Sequence, residues 1–319
     1  MSEKIFRNRA TSIIHDFIKN NKIDEKFILP ANICPIVPLV FYKNKIKIKF
    51  LDIDKKTLNI CKDKVLSEIK NSSGILWNHT YGKETNQKNF FEDLKKQKEN
   101  YLIIDDKCLC IPKTELKKNF SSDLEIYSTG YSKYCDLGYG GYGISKKKLE
   151  LFKTKYIKES EYSIKKKIDK CILQKKNYRN LENNWLKNQK IGEINFYIKS
   201  IEKLKIKIDR HKKNINLIYT QNLPSEIILD KTINIWRFNI LINKKETLLK
   251  EIFINGLFAS SHFYSSSKLF ENKKKTYADI LSKNVVNLFN DFRFSELNAY
   301  KMCEIINKHY KKYGPGKRP

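Results

Sequence analysis

The chain has no CxxC pair, and its seven cysteines, at positions 34, 61, 108, 110, 135, 171 and 303, are odd in number. That spacing gives neither a zinc ribbon nor a disulfide framework. Most of these cysteines stand inside apolar runs, where a free thiol behaves as a small hydrophobe. A reducing, cytoplasmic setting is the expectation. Long hydrophobic runs are also missing. The longest, Ile33–Tyr42, carries Pro35 and Pro38 and is too short to span a bilayer. The opening MSEKIFRNRA lacks the apolar stretch of a signal peptide, so no membrane partner is expected. Acidic residues are few beside basic ones, 35 Asp and Glu against 64 Lys and Arg, a formal charge of +29. Such an excess invites a nucleic-acid reading. The lysines, however, are spread over every segment rather than gathered in one patch, which is the pattern of a solvated surface. A basic nucleic-acid-binding protein therefore stays only as a rival, and an anionic substrate would gain from the same field.

What is present is organised around residues 99–144. Two short apolar runs, Tyr101–Ile104 and Leu124–Tyr127, each end abruptly in polar and small residues. Runs of that length bounded by turn chemistry read as buried strands of a parallel sheet. In open α/β sheets the site lies beyond the carboxyl ends of the strands. The residues there are Asp105 and Asp106 after the first run, then Ser128 and Lys133 after the second. Gly138, Gly140 and Gly141 follow and permit close backbone approach. A lysine, a carboxylate and hydroxyl or backbone donors are what pyridoxal phosphate (PLP) requires of a protein, for its carbonyl, its pyridine nitrogen and its phosphate.

The order Asp, Ser, Lys, Gly-Gly resembles the DegT/DnrJ/EryC1/StrS family of aminotransferases, in which an acidic pair closes one strand and a serine closes the next, ahead of the lysine. Asp105-Asp106 matches the pair, Ser128 stands five residues before Lys133, and Gly140-Gly141 follows. The resemblance implies a type I PLP-transferase-like α/β fold: a mostly parallel sheet in a large domain (1–215) with long connecting helices, and a smaller C-terminal α/β domain (216–319). It implies PLP as cofactor, with Lys133 as the Schiff-base lysine and catalytic proton carrier, Asp106 at the pyridinium nitrogen and Ser128 on the phosphate. The family's phosphate-binding helix start falls at Asn8–Thr11, which brings in Arg9 and Thr11, although the family's glycine is missing there. Asn177-Tyr178-Arg179 has the sequence of a step that lends an asparagine to the partner's phosphate site, so Asn177 and a homodimer are implied as well. The activity implied is transfer of an amino group from an amino acid, glutamate above all, to a nucleotide-linked keto-sugar for surface polysaccharide or glycoconjugate synthesis. Lys133 argues against the sugar-dehydrating branch, which carries histidine at that place. The short N-terminal arm and the missing glycine keep a catalytically weakened member as an alternative. Two other departures are Leu109, where the family often has His or Gln, and Ile33-Cys34, where it commonly has an aromatic ring.

The rest of the chain reads as follows. Residues 6–20 place Ile13, Ile14, Phe17 and Ile18 on one helical face, with His15 as a partly buried helix residue. Strand, turn and short helix follow in FILPANICPIVPLVFY, then a strand ending at Asp52 and Asp54, which are expected to cap a turn. His79 and Tyr81 close a further strand, and 88–99 is a helix. Residues 146–213, with no proline and one glycine, read as a charged pair of long helices. In the C-terminal part INIWRFNILIN alternates as a strand, KETLLKEIFINGLF is a helix, ASSHFYSS a second strand, and FSELNAYKMCEIINKHYKKYG an amphipathic helix. The tail GPGKRP reads as disordered.

Overall fold

The computed structural model describes residues 2–116, 120–154, 157–181 and 184–319. Seven strands form the larger sheet: β1 (Glu3–Arg7), β2 (Lys26–Pro30), β3 (Ile48–Leu51), β4 (Ser72–Asn78), β5 (Leu102–Asp106), β6 (Leu124–Ser128) and β7 (Gly141–Ser145). Their spatial order is β1-β7-β6-β5-β4-β2-β3. The run from β3 through β6 is parallel, and β7 is antiparallel to both neighbours. The apolar runs read from the sequence are central strands here. Ile103, Ile104, Leu124 and Ile126 are fully buried, as strands covered on both faces must be.

Helices α1 (Ala10–Lys19), α2 (Ile36–Lys43), α3 (Lys62–Glu68) and α4 (Lys88–Gln97) connect these strands. The helix expected over 6–20 begins only at Ala10, because Phe6 and Arg7 pair with β7 as an edge strand. Arg7 then points inward and binds the buried Asp16 at 2.6 Å. Asp16 also accepts from Asn188 Nδ2 at 2.6 Å and Phe152 N at 3.1 Å, which ties later segments onto α1.

The stretch 146–213 departs from the expected helix pair. Helix α5 covers Glu161–Leu173 and α6 covers Ile194–Asn222, but the described residues between them are irregular. That intervening segment is rich in asparagine, whose side chains compete with helical backbone bonds. The segment is tied to distant backbone instead: Asn188 donates to the Phe152 carbonyl, and Asn8 Nδ2 donates to the Lys187 carbonyl. Tyr178, Trp185 and Leu186 are buried against the main core.

The second sheet is β8 (Phe238–Leu241), β9 (Ala259–Ser260) and β10 (Val285–Leu288), in the order β8-β10-β9 and antiparallel throughout. It packs with α7 (Lys245–Ile254) and α10 (Glu296–Tyr313), while α8 (Ser266–Glu271) and α9 (Thr276–Asn284) run back toward the first sheet. Both strands expected here are shorter than the sequence suggested, since Trp236 and His262 leave the ladder and turn toward the cavity described below. The division expected at 215/216 falls inside α6. Its Tyr197, Ile201 and Ile208 pack beside β6 and β7, while Ile215, Ile218 and Tyr219 pack on the smaller sheet.

The tail is ordered, contrary to its composition. Gly316 N donates to the Leu241 carbonyl at 3.0 Å, and Arg318 reaches the carbonyls of Glu226, Ile228 and Leu229. Asp54 caps its turn as expected, accepting from Lys56 N and Thr57 N. Asp52 instead reaches across to α9, accepting from Tyr277 N at 3.2 Å and Ala278 N at 3.0 Å. No helix among the described residues is long and apolar enough to cross a membrane.

His15 is buried in α1 with Nδ1 3.0 Å from Asn44 Nδ2. Burial, only partly opposed by Asp16, lowers its pKa to about 4. A depressed histidine favours the neutral ring in the fold, so stability is whole above the unfolded value near 6.5 and declines as pH falls toward 4. Replacing His15 with Gln should flatten that decline by up to about 3 kcal/mol. Urea unfolding at pH 7 and at pH 4.5 checks it: equal losses in variant and parent would contradict the assignment.

Candidate active site

One cavity of about 970 Å³ opens at the carboxyl ends of β4, β5 and β6. Its walls come from the start of α1, from α5, and from Trp236, Lys245, His262 and α9 on the other side. Arg9, Thr11, Asp106, Ser128 and Lys133 all line it. Asn177 does not line this cavity; it lies beyond α5, next to Tyr178, whose N–H donates to the Leu269 carbonyl.

Strand alternation divides the acidic pair. Asp106 lines the cavity, and one of its oxygens accepts from Cys108 N at 2.9 Å. Asp105 takes a different set of partners. It is 2.8 Å from His79 Nε2 and 3.3 Å from Lys107 Nζ, which also meets Glu84 and Glu125 at 3.0 and 2.5 Å. Burial alone would lower the Lys107 pKa, but Asp105, Glu125 and Glu84 outweigh it and hold the ammonium above its ordinary value. His79 is fully used. Thr85 N donates to its Nδ1 at 3.1 Å, so the ring proton sits on Nε2 and goes to Asp105. It orders a loop and is not free to act as a base.

Gly140 and Gly141 bring the start of α1 onto the loop after β6. Gly140 has φ of +99°, and a Cβ there would strike the Tyr197 and Thr129 hydroxyls; at Gly141 it would strike the Ala10 backbone. Gly140 N donates to the Asn8 carbonyl at 2.8 Å, and Arg9 pairs with Gly140. Arg9 is the N-cap of α1 and offers no side-chain cap, while Ser12 N donates to the Arg9 carbonyl at 3.1 Å. Around that helix end stand Thr11, Ser128 and Arg9. The Thr11 hydroxyl oxygen is buried without a partner. Ser128 Oγ accepts from Gly130 N at 3.3 Å and makes only a long contact, 3.4 Å, with the Gly140 carbonyl. The Arg9 guanidinium lies 5.3 Å over the Tyr131 ring and 3.8 Å from Glu161. Such a set is suited to an anion. The orphaned Thr11 hydroxyl and the uncapped helix end fit a phosphate, and Asp106 fits a protonated nitrogen, so the residues present fit PLP.

Lys133 is half-buried, and its ammonium makes no hydrogen bond or ion pair with any described residue. Its turn is clamped instead. Ser132 holds a left-handed φ of +60°, a strained conformation for a side-chain-bearing residue. Asp136 accepts from Ser132 N at 2.8 Å and from Arg293 at 2.9 Å. Trp236 Nε1 donates to the Ser132 carbonyl at 2.5 Å, and its ring stacks with Tyr81 and Phe263. Behind it, Lys212 Nζ donates to the Trp236 carbonyl at 2.7 Å and to Asn290 at 2.6 Å. Burial, then Arg237, lowers the Lys212 pKa to about 7. Burial, with Arg237 and Lys133, also lowers that of His262 to about 4, so this ring is neutral at pH 7. Lys245 ties Ser261 to the Ser282 carbonyl at the cavity wall. Sequence reasoning missed Trp236, Lys212 and Lys245, since no local pattern separates them from strand and surface residues.

With the strand order and the cavity in view, the architecture is that of type I PLP transferases. A DegT/DnrJ/EryC1/StrS aminotransferase of Brucella abortus superposes over 96% of this chain and 86% of its own, with TM-score 0.69 and 13% identity. The sugar aminotransferase CalS13 of Micromonospora echinospora does so over 96% and 87%, with TM-score 0.70 and 12% identity. DesI, solved in the presence of its TDP-sugar product, covers 96% and 80%, with TM-score 0.68 and 11% identity. No family model and no curated protein matches the sequence. The fold implied by the Asp105–Gly141 pattern is therefore borne out.

The Trp236 clamp gives a prediction independent of any ligand. Trp236→Phe keeps a ring for stacking but removes the N–H to Ser132. Stability should fall by about 1 kcal/mol, and amide hydrogen exchange should rise selectively over residues 129–138. Unchanged exchange in that turn would show that the clamp does not hold it.

Proposed function

We propose that this protein is a PLP-dependent aminotransferase that moves an amino group from an amino acid, with glutamate as the favoured donor, to a nucleotide-linked keto-sugar. The observation that carries the reading is Lys133, an ammonium unpaired among the described residues and lining a cavity that also presents Asp106 and the anion-suited start of α1. PLP, when bound, supplies an electron sink for the bond-breaking at the amino-bearing carbon. In this reading Lys133 would hold the cofactor covalently and would serve as the proton carrier at its Nζ. Asp106 keeps the pyridine nitrogen protonated by charge pairing. Thr11, Ser128 and Arg9, at the start of α1, would hold the phosphate. Ile33, Cys34, Trp236 and Phe263 line the cavity and limit water. The net positive charge of the chain favours a substrate carrying a diphosphate.

The reading includes a homodimer in which Asn177 of one copy serves the partner's phosphate site, which agrees with its position away from the cavity of its own chain. Light scattering at micromolar concentration should return twice the chain mass; a monomer that still holds PLP would remove this part.

Lys133→Ala is the direct test of the whole reading. The parent mixed with PLP should show visible absorbance, and borohydride should fix the cofactor on the peptide containing Lys133. The variant should keep its fold, lose the fixed label and lose turnover with glutamate and a keto-sugar nucleotide. Labelling at Lys146, Lys147 or Lys148, or none at all, would overturn it. Ser128→Ala should weaken PLP affinity by about 1–3 kcal/mol, read by equilibrium dialysis, and an unchanged affinity would take Ser128 out of the site.

A further inference from the structure

Asp279 stands in the first turn of α9 and lines the cavity. One of its carboxylate oxygens is buried without a partner, and the group makes no ion pair or hydrogen bond with any described residue. Its place is fixed, because Asp52 accepts from Tyr277 N and Ala278 N and so holds the start of the helix. A buried carboxylate oxygen left unpaired is costly, and such groups are nearly always satisfied by something. The cations that line the same cavity are disposed otherwise. Lys245 donates to Ser261 and Ser282, Lys268 lies 5.8 Å over the Tyr264 ring, and Lys283, one turn on from Asp279, is exposed. The half-buried Tyr264 lies within reach of the carboxylate: burial, then Asp279, raises its pKa. A carboxylate only accepts, so what would satisfy Asp279 is a donor brought in by a ligand.

We propose that Asp279 is a specificity-determining residue of the cavity, accepting a hydrogen bond from a ring hydroxyl of the sugar that receives the amino group. The inference rests on the aminotransferase reading above and deepens it. The two substrates of that reading differ in what they offer this carboxylate. An amino acid such as glutamate carries one ammonium, which is the reacting group and must go to Lys133. Its other charged groups are carboxylates, and Asp279 repels them. A hexose brings several hydroxyl donors, and its apolar ring face matches an aromatic side chain such as that of Tyr264. A hydrogen bond from a hydroxyl to an ionised carboxylate is of the stronger, charge-assisted kind. Lys268 and Lys283, left without a carboxylate on this wall, favour the anionic part of the same molecule.

The test is calorimetric titration of the PLP-loaded protein with UDP-, dTDP- and GDP-linked hexoses and with the matching free nucleoside diphosphates, in the parent, Asp279→Ala and Asp279→Asn. The parent should bind one linked hexose more tightly than its free diphosphate. Asp279→Ala should weaken binding of that linked hexose about tenfold or more. The free diphosphate, which lacks the hexose, should keep its affinity or gain, since a like charge has gone. Asp279→Asn keeps an acceptor oxygen without the charge and should fall between. Circular dichroism separates a folding failure in the alanine variant, and the asparagine variant then decides alone. A parent without the preference for the linked hexose, variants that keep it in full, or an equal loss for the free diphosphate would each overturn this inference and leave the aminotransferase reading standing. A parent that takes up no PLP, or binds none of the linked hexoses, would overturn both.

Discussion

The site depends on one close approach. The start of α1 lies directly against Gly140 and Gly141, with backbone contact where any side chain would collide. That contact fixes three things together. It aims the uncapped helix end into the cavity, it sets the loop between β6 and β7 in which Lys133 lies, and it joins edge strand β1 to the sheet through β7. Arg7 and Asp16 reinforce it from below, a buried ion pair whose remaining acceptor capacity is filled by Asn188 and Phe152 N. Loss of the glycines would disturb the helix start, the lysine loop and the edge of the sheet together, because Gly141 also pairs with Arg7 of β1 and Ser128 of β6.

The sequence was legible where chemistry is local. Asp106, Ser128 and Lys133 follow strand ends in order, and a strand end is readable from an apolar run stopped by polar residues. The structure gathers them, with Arg9 and Thr11, around one cavity. What stayed hidden is non-local. Phe6 and Arg7 read as helix because their pairing partner lies near residue 141. Trp236 sits in a strand-like run, and nothing nearby tells that its indole N–H reaches Ser132. The GPGKRP tail has the composition of a disordered end, yet its order comes from carbonyls at 226–229 and 241. Residues 174–193 have helical apolar spacing, yet the described ones are irregular, and Asn188 donates to the distant Phe152 carbonyl, a partner that local spacing does not reveal.

Charge is handled differently at the surface and inside. The excess of lysine is mostly solvated, but the few buried cations are each enclosed. Lys107 sits among three carboxylates, Arg237 meets Asp291 at 2.9 Å, and Lys212 has only neutral acceptors. Lys107 is locked in its charged form, whereas Lys212 has lost most of its preference for charge, with a pKa of about 7. Lys133 stands apart from all three in having no counter-group among the described residues, which supports the role proposed for it.

Helix α6 is a single rod of 29 residues, about 44 Å at 1.5 Å per residue. One end is built into the aromatic cluster around Tyr142 and the other into the core of the smaller sheet. Neither core is complete without it. The two sheets therefore share one cooperative unit, and heat should unfold them in a single step rather than two. A cut anywhere along that rod would release both halves at once, so the chain gains a common fate for its two cores in place of the independence that two sheets would otherwise allow.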